Sequence, residues 1–278
     1  MKTESTNLFD QWLAIVKATR SSRTYELYSQ VSRELMQTIG SPLQWGGEAI
    51  TTYLNWLADK GNSPRSRNTK LQIVKSFVSW AGKAIPEQVV TSMPSKVSYM
   101  PSQPTVAKAE EVDKLLIALK HEPETTLALL LMADAGLRES EVRNLKWKHV
   151  KGNVLRVMGK GSKYRELPIP GNRLPALLGE GLDKHSPEDY IVPGASGGLI
   201  SRGVIGTRIS DACVKARIRK LNPHSFRHCF AVRSVKNNVA APLIQRALGH
   251  SSLETTDMYL RGLDGDLDAL RAGYANFK

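Results

Sequence analysis

HVKGNVLRVMGKGSKYRELPIP, residues 149–170, is where the apolar period of this chain changes. Val154, Arg156 and Met158 alternate with Leu155 and Val157, so successive side chains fall on opposite sides of an extended backbone. A GKGS turn follows, and KYRELPI resumes beyond it, which reads as a β-hairpin. The segments on either side repeat at three to four residues instead. EEVDKLLIAL and TTLALLLMADAG precede the hairpin as helices, the second stopping at Gly136, which can take the left-handed conformation that ends a helix. VIGTRISDACVKARI, HSFRHCFAVRSV, APLIQRALG and SLETTDMYLR follow it, again with helical spacing. Residues 105–278 therefore read as a mainly α domain carrying one small β element.

Towards the N-terminus the helical period is unbroken. Leu8, Trp12, Ile15 and Val16 form one apolar stripe; Tyr25, Tyr28, Val31 and Leu35 a second; Ile50, Tyr53, Leu54 and Leu57 a third; Leu71, Val74 and Val78, with Trp80, a fourth. Residues 1–84 are expected to be a small all-helical bundle. Between the two domains, 85–104 carries Pro86, Pro94, Pro101 and Pro104 among serines and threonines and reads as a linker. A chain of 278 residues is long enough for two such domains.

Composition narrows the function. With 41% hydrophobic and 23% charged residues the chain has a globular balance, and no run of about 18 apolar residues could span a bilayer. The opening MKTESTNLFDQWLAIV has no basic start, apolar h-region or cleavage site, so a cytoplasmic location is expected. Cys213 and Cys229 lack both the density of a disulfide scaffold and the spacing of a zinc site, so no structural metal is expected. Lys and Arg total 39 against 26 Asp and Glu, a formal charge of +13, which favours a polyanionic partner such as nucleic acid.

Four short stretches carry candidate chemistry. In GLRESEV, Glu141 lies three positions after Arg138, close enough on a helical turn to orient the guanidinium; taken alone, this is also what a surface ion pair looks like. In HSFRH, Pro223 marks a helix start and His224 and Arg227 share one face, either as an anion site or as a capping histidine and a surface arginine. In GHSSLETTDMYL, Gly249 ends one helix, Ser251 and Glu254 form a capping box for the next, and Tyr259 follows as a packing or a reacting side chain. Lys160 sits in the hairpin turn, where a lysine is either solvated or swung into a site as a proton donor.

Taken together, GLRESEV, GKGSKYRELP, HSFRH, LGH and TTDMYL stand in one order, and with them the chain resembles the tyrosine recombinases, the phage integrase family that includes Xer and Cre proteins. The resemblance covers residues 105–278, and the helical N-terminal domain is similar to the family's core-binding domain. It implies a two-domain C-shaped clamp around duplex DNA, with 105–278 catalytic. It also implies that Arg138, Arg227 and His250 bind the non-bridging oxygens of a scissile phosphate, with Glu141 supporting Arg138. Tyr259 would be the nucleophile, leaving a 3′-phosphotyrosyl link and a free 5′-hydroxyl, with His224 taking the phenol proton and Lys160 protonating the departing oxygen. A phenol of pKa about 10 needs such a base or a positive field at neutral pH. No metal or other cofactor is implied, in keeping with the lack of a G-x-x-x-x-G-K-[ST] loop. Where the family has either residue, histidine rather than tryptophan stands at 250; both donate from a ring nitrogen.

Further basic residues are candidate DNA contacts. Ser63 can cap the fourth helix, Pro64 suits its first position, and Arg65, Arg67 and Lys70 crowd its first two turns. Lys163 and Arg165 lie in the hairpin, and Arg202, Arg208, Lys215 and Arg217 lie on or beside the helix that starts near Val204. The set on the fourth helix and the set near Val204 each read equally well as a solvated basic face. Beyond Tyr259, Leu267, Leu270, Tyr274 and Phe277 form one apolar stripe on a short tail over 264–278, which packs on its own domain or docks in trans as subunits assemble into a tetramer on two DNA sites. No β-rich module precedes the first helical pattern, which favours an Xer-type or transposon-resolving enzyme over the larger arm-binding integrases. The two rival functions are a type IB topoisomerase activity and a catalytically silent DNA-binding factor.

Overall fold

The structure is a computed structural model that describes residues 2–100, 104–159, 164–171 and 173–249, with side chains from residue 8 onward. The chain divides into two compact units, Met1–Ser102 and Gln103–Lys278.

The first unit is built from helices α1 (Lys2–Thr19), α2 (Ser22–Ile39), α3 (Ala49–Asp59), α4 (Pro64–Ala81) and the short α5 (Glu87–Thr91). Two serine caps fix where helices begin: Ser21 Oγ accepts from the Thr24 amide and Ser63 Oγ from the Ser66 amide, with Pro64 at the first position of α4. The apolar stripes meet around Phe77, whose ring stacks on Phe9 at 4.3 Å and meets Trp12 and Trp45 edge-on at 5.2 and 6.0 Å. Ile15, expected on the buried stripe of α1, is exposed instead, and so is Trp80.

The stretch expected to be a linker is, over residues 85–97, part of this unit. Ile85 and Val89 are buried in its core and Met93 and Val97 pack against it. The Asn68 side chain donates to the Val97 carbonyl at 2.8 Å and accepts from the Val97 amide at 2.7 Å, and Ser92 Oγ donates to the Gly47 carbonyl at 2.6 Å. The prolines punctuate a folded segment: Pro86 sits immediately before α5 and helps to start it.

Lys70 also differs from expectation. It is buried, and its Nζ lies 2.9 Å from both carboxylate oxygens of Glu34, to which Tyr53 Oη also donates at 2.7 Å. Burial raises the Glu34 pKa, but Lys70, Tyr53 and Gln30 together hold it below the ordinary carboxylate value. Lys70 is thus an internal counter-ion, withdrawn from the set of candidate phosphate contacts. Lys70→Met is expected to cost about 1–3 kcal/mol of stability by leaving Glu34 short of a donor, with DNA affinity unchanged; thermal unfolding and gel-shift titration read the two separately.

The second unit contains α6 (Ala109–Ala118), α7 (Pro123–Ala133), α8 (Glu139–Arg143), strands β1 (Val150–Lys151), β2 (Val154–Met158) and β3 (Tyr164–Pro168), then α9 (Arg173–Leu182), α10 (Val204–Lys215), α11 (Pro223–Lys236) and α12 (Ala241–Leu248). Leu127 through Ala133 of α7 are all buried, as expected of a helix apolar on every side, and α8, α9, α10 and α11 pack around it. The strands form one antiparallel sheet in the order β1-β2-β3, with Val157 opposite Arg165 and Met158 opposite Tyr164. Leu155, Val157 and Leu167 face the core while Arg156 and Met158 face out, the alternation legible in the sequence. β1 adds a third strand to the expected hairpin. Gly181 in α9 is required by contact: a Cβ there would come within 2.0 Å of Trp147 Cη2.

Candidate active site

Three local devices carry the site. The first follows α7: Gly136 has φ of +69°, and the Leu137 amide reaches back to the Leu131 carbonyl at 3.1 Å, so the chain reverses and delivers Arg138 to the start of α8. The second opens α11: Asn222 Oδ1 accepts from the Ser225 amide at 3.2 Å, and Ser225 Oγ accepts from the Asn222 amide at 3.3 Å. With Pro223 at the first helical position, this places His224 and Arg227 on the first turns. The third closes α12 at Gly249, with φ +61° and ψ +45°.

These devices converge on Glu141, whose side chain is 6% exposed. Oε1 of Glu141 accepts from Arg138 Nη1 and Arg165 Nη1, and Oε2 accepts from Arg165 Nη2 and the Arg138 amide, all at 2.9 Å. Arg227 Nη1 lies 3.9 Å from Oε2. Burial, the largest single influence, pushes the Glu141 pKa up; the Arg165 hydrogen bonds, the Arg138 amide and the two guanidinium charges outweigh it and hold the carboxyl below its ordinary value.

The same arginines reach the end of α12, where a helix leaves carbonyls without intrahelical partners. Arg165 Nε donates to the Ala247 carbonyl at 2.9 Å, Arg227 Nη2 to Leu248, and Arg138 Nη2 to Gly249 at 3.1 Å. Arg227 Nη1 donates to the Gly136 carbonyl at 2.6 Å. Cations at the negative end of a helix are favourable. Arg227 is almost wholly buried, at 4% side-chain exposure, whereas Arg138 keeps 33% and so presents part of its guanidinium outward.

His224 is exposed, yet partial desolvation on its packed side, then the charges of Arg227 and Arg138, lower its pKa, which favours the neutral imidazole. His228, with its ring 6.4 Å from that of His224, is driven down to about 4 by burial and by the His224 and Arg227 charges.

The structure therefore brings Arg138, Glu141, His224 and Arg227 together. Lys160, Lys163, His250, Tyr259 and the tail over 264–278 lie outside the described residues. Arg165 departs from its expected place among the DNA contacts: it is 13% exposed, and the three donors described above point inward to Glu141 and Ala247. Its sequence signal was weak, because a basic residue in a hairpin carries no mark of the acid it will meet. Lys215 is tied to Glu122 at 2.7 Å, while Arg65 and Arg202 are exposed and Arg67 and Arg208 half-buried. Among the described residues there is no group of three or more His, Cys, Asp or Glu that could hold a metal ion, and no helix is long and apolar enough to cross a membrane.

Comparison with known proteins gives the family. The model of the phage integrase family matches residues 106–265. The chain belongs to that family, the tyrosine recombinases. It is similar to tyrosine recombinase XerC of Myxococcus xanthus, 31% identical over 231 residues that cover 76% of each chain. It is also similar to tyrosine recombinase XerC of Xanthomonas campestris pv. campestris (strain B100), 29% identical over 211 residues. That match covers 72% of this chain and 65% of the relative, so the chain spans just under two thirds of the Xanthomonas protein's length. Solved structures with the same fold include the Tn1549 transposon integrase in complex with transposon right end DNA, at 16% identity and a TM-score of 0.76 over 98% of both chains. A lambda integrase dimer bound to a COC′ core site matches at 19% identity and a TM-score of 0.73, over 89% of this chain and 95% of that one.

Proposed function

We propose that this protein is a site-specific DNA recombinase that cleaves and rejoins duplex DNA through a covalent 3′-phosphotyrosyl intermediate, in integration, excision or resolution of a DNA element. The observation that carries the reading is the gathering of Arg138 and Arg227 at Glu141 and the end of α12, within reach of His224, whose pKa their charges lower; in sequence His250 follows Gly249 and Tyr259 lies ten residues beyond it.

In this reading residues 105–278 are catalytic and residues 1–84 contribute to DNA binding. Charge grows on the non-bridging oxygens as phosphorus becomes five-coordinate, and Arg138, Arg227 and His250 would meet it with donors already fixed in place. Tyr259 Oη attacks phosphorus while His224, kept neutral by its surroundings, accepts the phenol proton. The bond to the 5′-oxygen breaks, and Lys160 supplies the proton that makes it a hydroxyl. Religation reverses these steps with a 5′-hydroxyl from the partner duplex. The cytoplasm is the proposed place of action. Four subunits on two DNA sites are the proposed assembly, with the tail over 264–278 docking in a neighbour; a lambda integrase tetramer has been solved bound to a Holliday junction.

The test is covalent capture. Incubated with fragmented DNA of its host, the protein is expected to become attached to a discrete set of 3′ ends, which sequencing then identifies. Tyr259→Phe is expected to bind the same sites and capture none. Attachment by that variant, or relaxation of supercoiled plasmid without strand exchange, would refute the reading.

A further inference from the structure

We infer that Arg165 is a positioning residue that clamps the end of α12 to Glu141, and so sets both the Arg138 guanidinium and the chain leading to the tyrosine; the inference rests on the recombinase reading above. Three of its donors are committed inward. Nη1 and Nη2 meet the two Glu141 oxygens in a parallel fork, each at 2.9 Å, and Nε meets the Ala247 carbonyl at 2.9 Å.

The contacts close a ring. From Ala247 the path runs through Arg165 to Glu141, from Glu141 to Arg138 Nη1, and from Arg138 Nη2 back to the Gly249 carbonyl at 3.1 Å. Gly249 makes the close approach possible, since a Cβ there would stand 3.2 Å from Arg165 Nη1, and its φ of +61° disfavours any other residue. Arg165 also belongs to β3, paired with Val157 of β2, on the strand that begins four positions after Lys160 in the sequence. One side chain thus ties three parts of the candidate machinery: the hairpin with its lysine, the acid that holds Arg138, and the helix end that precedes His250 and Tyr259. Lysine cannot replace it fully, because a single ammonium does not reproduce a planar fork plus a third donor directed at a carbonyl.

The test compares the full-length protein with Arg165→Gln and Arg165→Lys in three measurements. Backbone hydrogen exchange over residues 241–249 is expected to quicken in Arg165→Gln while α7 keeps its protection, because Glu141, unlike the arginines in Glu141→Ala, retains partners in the Arg138 guanidinium and amide. Affinity for a nicked duplex carrying a captured site is expected to be unchanged. The rate of covalent adduct formation on that duplex at saturating DNA is expected to fall about 100-fold, the scale of an ångström-sized misplacement, with Arg165→Lys between the two. Exchange over 241–249 as slow as in the unsubstituted protein overturns the inference, as does cleavage at the unsubstituted rate. A loss of cleavage that follows a loss of affinity does so too, by making Arg165 a phosphate contact, and so does loss of protection throughout the second unit, by making it merely structural. If the unsubstituted protein forms no adduct, the recombinase reading falls, and the exchange measurement alone decides whether the clamp exists.

Discussion

Glu141→Ala is expected to destabilise the second unit by about 3–5 kcal/mol, the cost of removing one partner from a buried ion pair and leaving the other unanswered. Here the carboxylate, 6% exposed, faces Arg165 at 13% and Arg227 at 4%, with Arg138 as a third, more open guanidinium. Alanine leaves these cations facing one another without the carboxylate that holds them together. The loss is read as faster hydrogen exchange of the α7 amides, Leu127–Ala133, which lie in the core of that unit. The carboxylate also predicts the acid response. Its folded pKa lies below its ordinary 4.5, so its contribution is complete above that value and is lost as pH falls through the lower, folded one. Glu141→Gln is expected to flatten the fall of stability in that acidic window. A fall as steep as the unsubstituted protein's would show that other carboxylates govern it.

Gly136→Ala is the second substitution with a large expected effect, and it acts through backbone and packing together. At φ +69° an added Cβ costs about 1–2 kcal/mol. The same Cβ would stand 2.5 Å from Phe230 Cδ1 and 2.9 Å from Cε1, an overlap that adds about 1–3 kcal/mol. Phe230 has little room to retreat, since it packs against the small cluster of Ala231, Ile244 and Leu248 that seats α12 on α11. The Gly136 carbonyl is also a partner of Arg227, so the strain enters the candidate site. Lower thermal stability and a loss of covalent capture are expected together; capture at the unsubstituted level would show that the turn relaxes without moving Arg227.

What could be read from the sequence is what rests on local signals. Gly136 and Gly249 ended helices because few other residues adopt a positive φ, Ser63 and Asn222 started them because their bonds reach only three residues along the chain, and Pro223 because its ring fixes φ near the helical value. The strand alternation around Val157 and the Arg138–Glu141 spacing are equally local. What stayed hidden depends on distant partners. Lys70 was read as an exposed charge because its partner, Glu34, is 36 positions away. Residues 85–97 were read as a linker because Pro86, Pro94 and the serines and threonines between them outweighed the four-residue spacing of Ile85, Val89, Met93 and Val97, whose burial depends on the bundle that receives them. β1 is only two residues long, and in α9 the helical spacing of Leu174, Leu177, Leu178 and Leu182 is set among Pro175, Gly179 and Gly181, residues that argue against a helix. Arg165 belongs with these, its partners lying 24 and 82 positions away.

The three-arginine cluster bears on when the work of catalysis is done. One carboxylate faces three guanidiniums, which also donate to the carbonyls of Gly136, Ala247, Leu248 and Gly249. The mutual repulsion of those cations is overcome once, as the second unit folds, and is not met again each time a polyanion arrives. An incoming phosphate would exchange places with a carbonyl oxygen rather than gather scattered charges, and such an exchange needs little reorganisation. Folding stores the positive field that a strand-transfer reaction would then draw on.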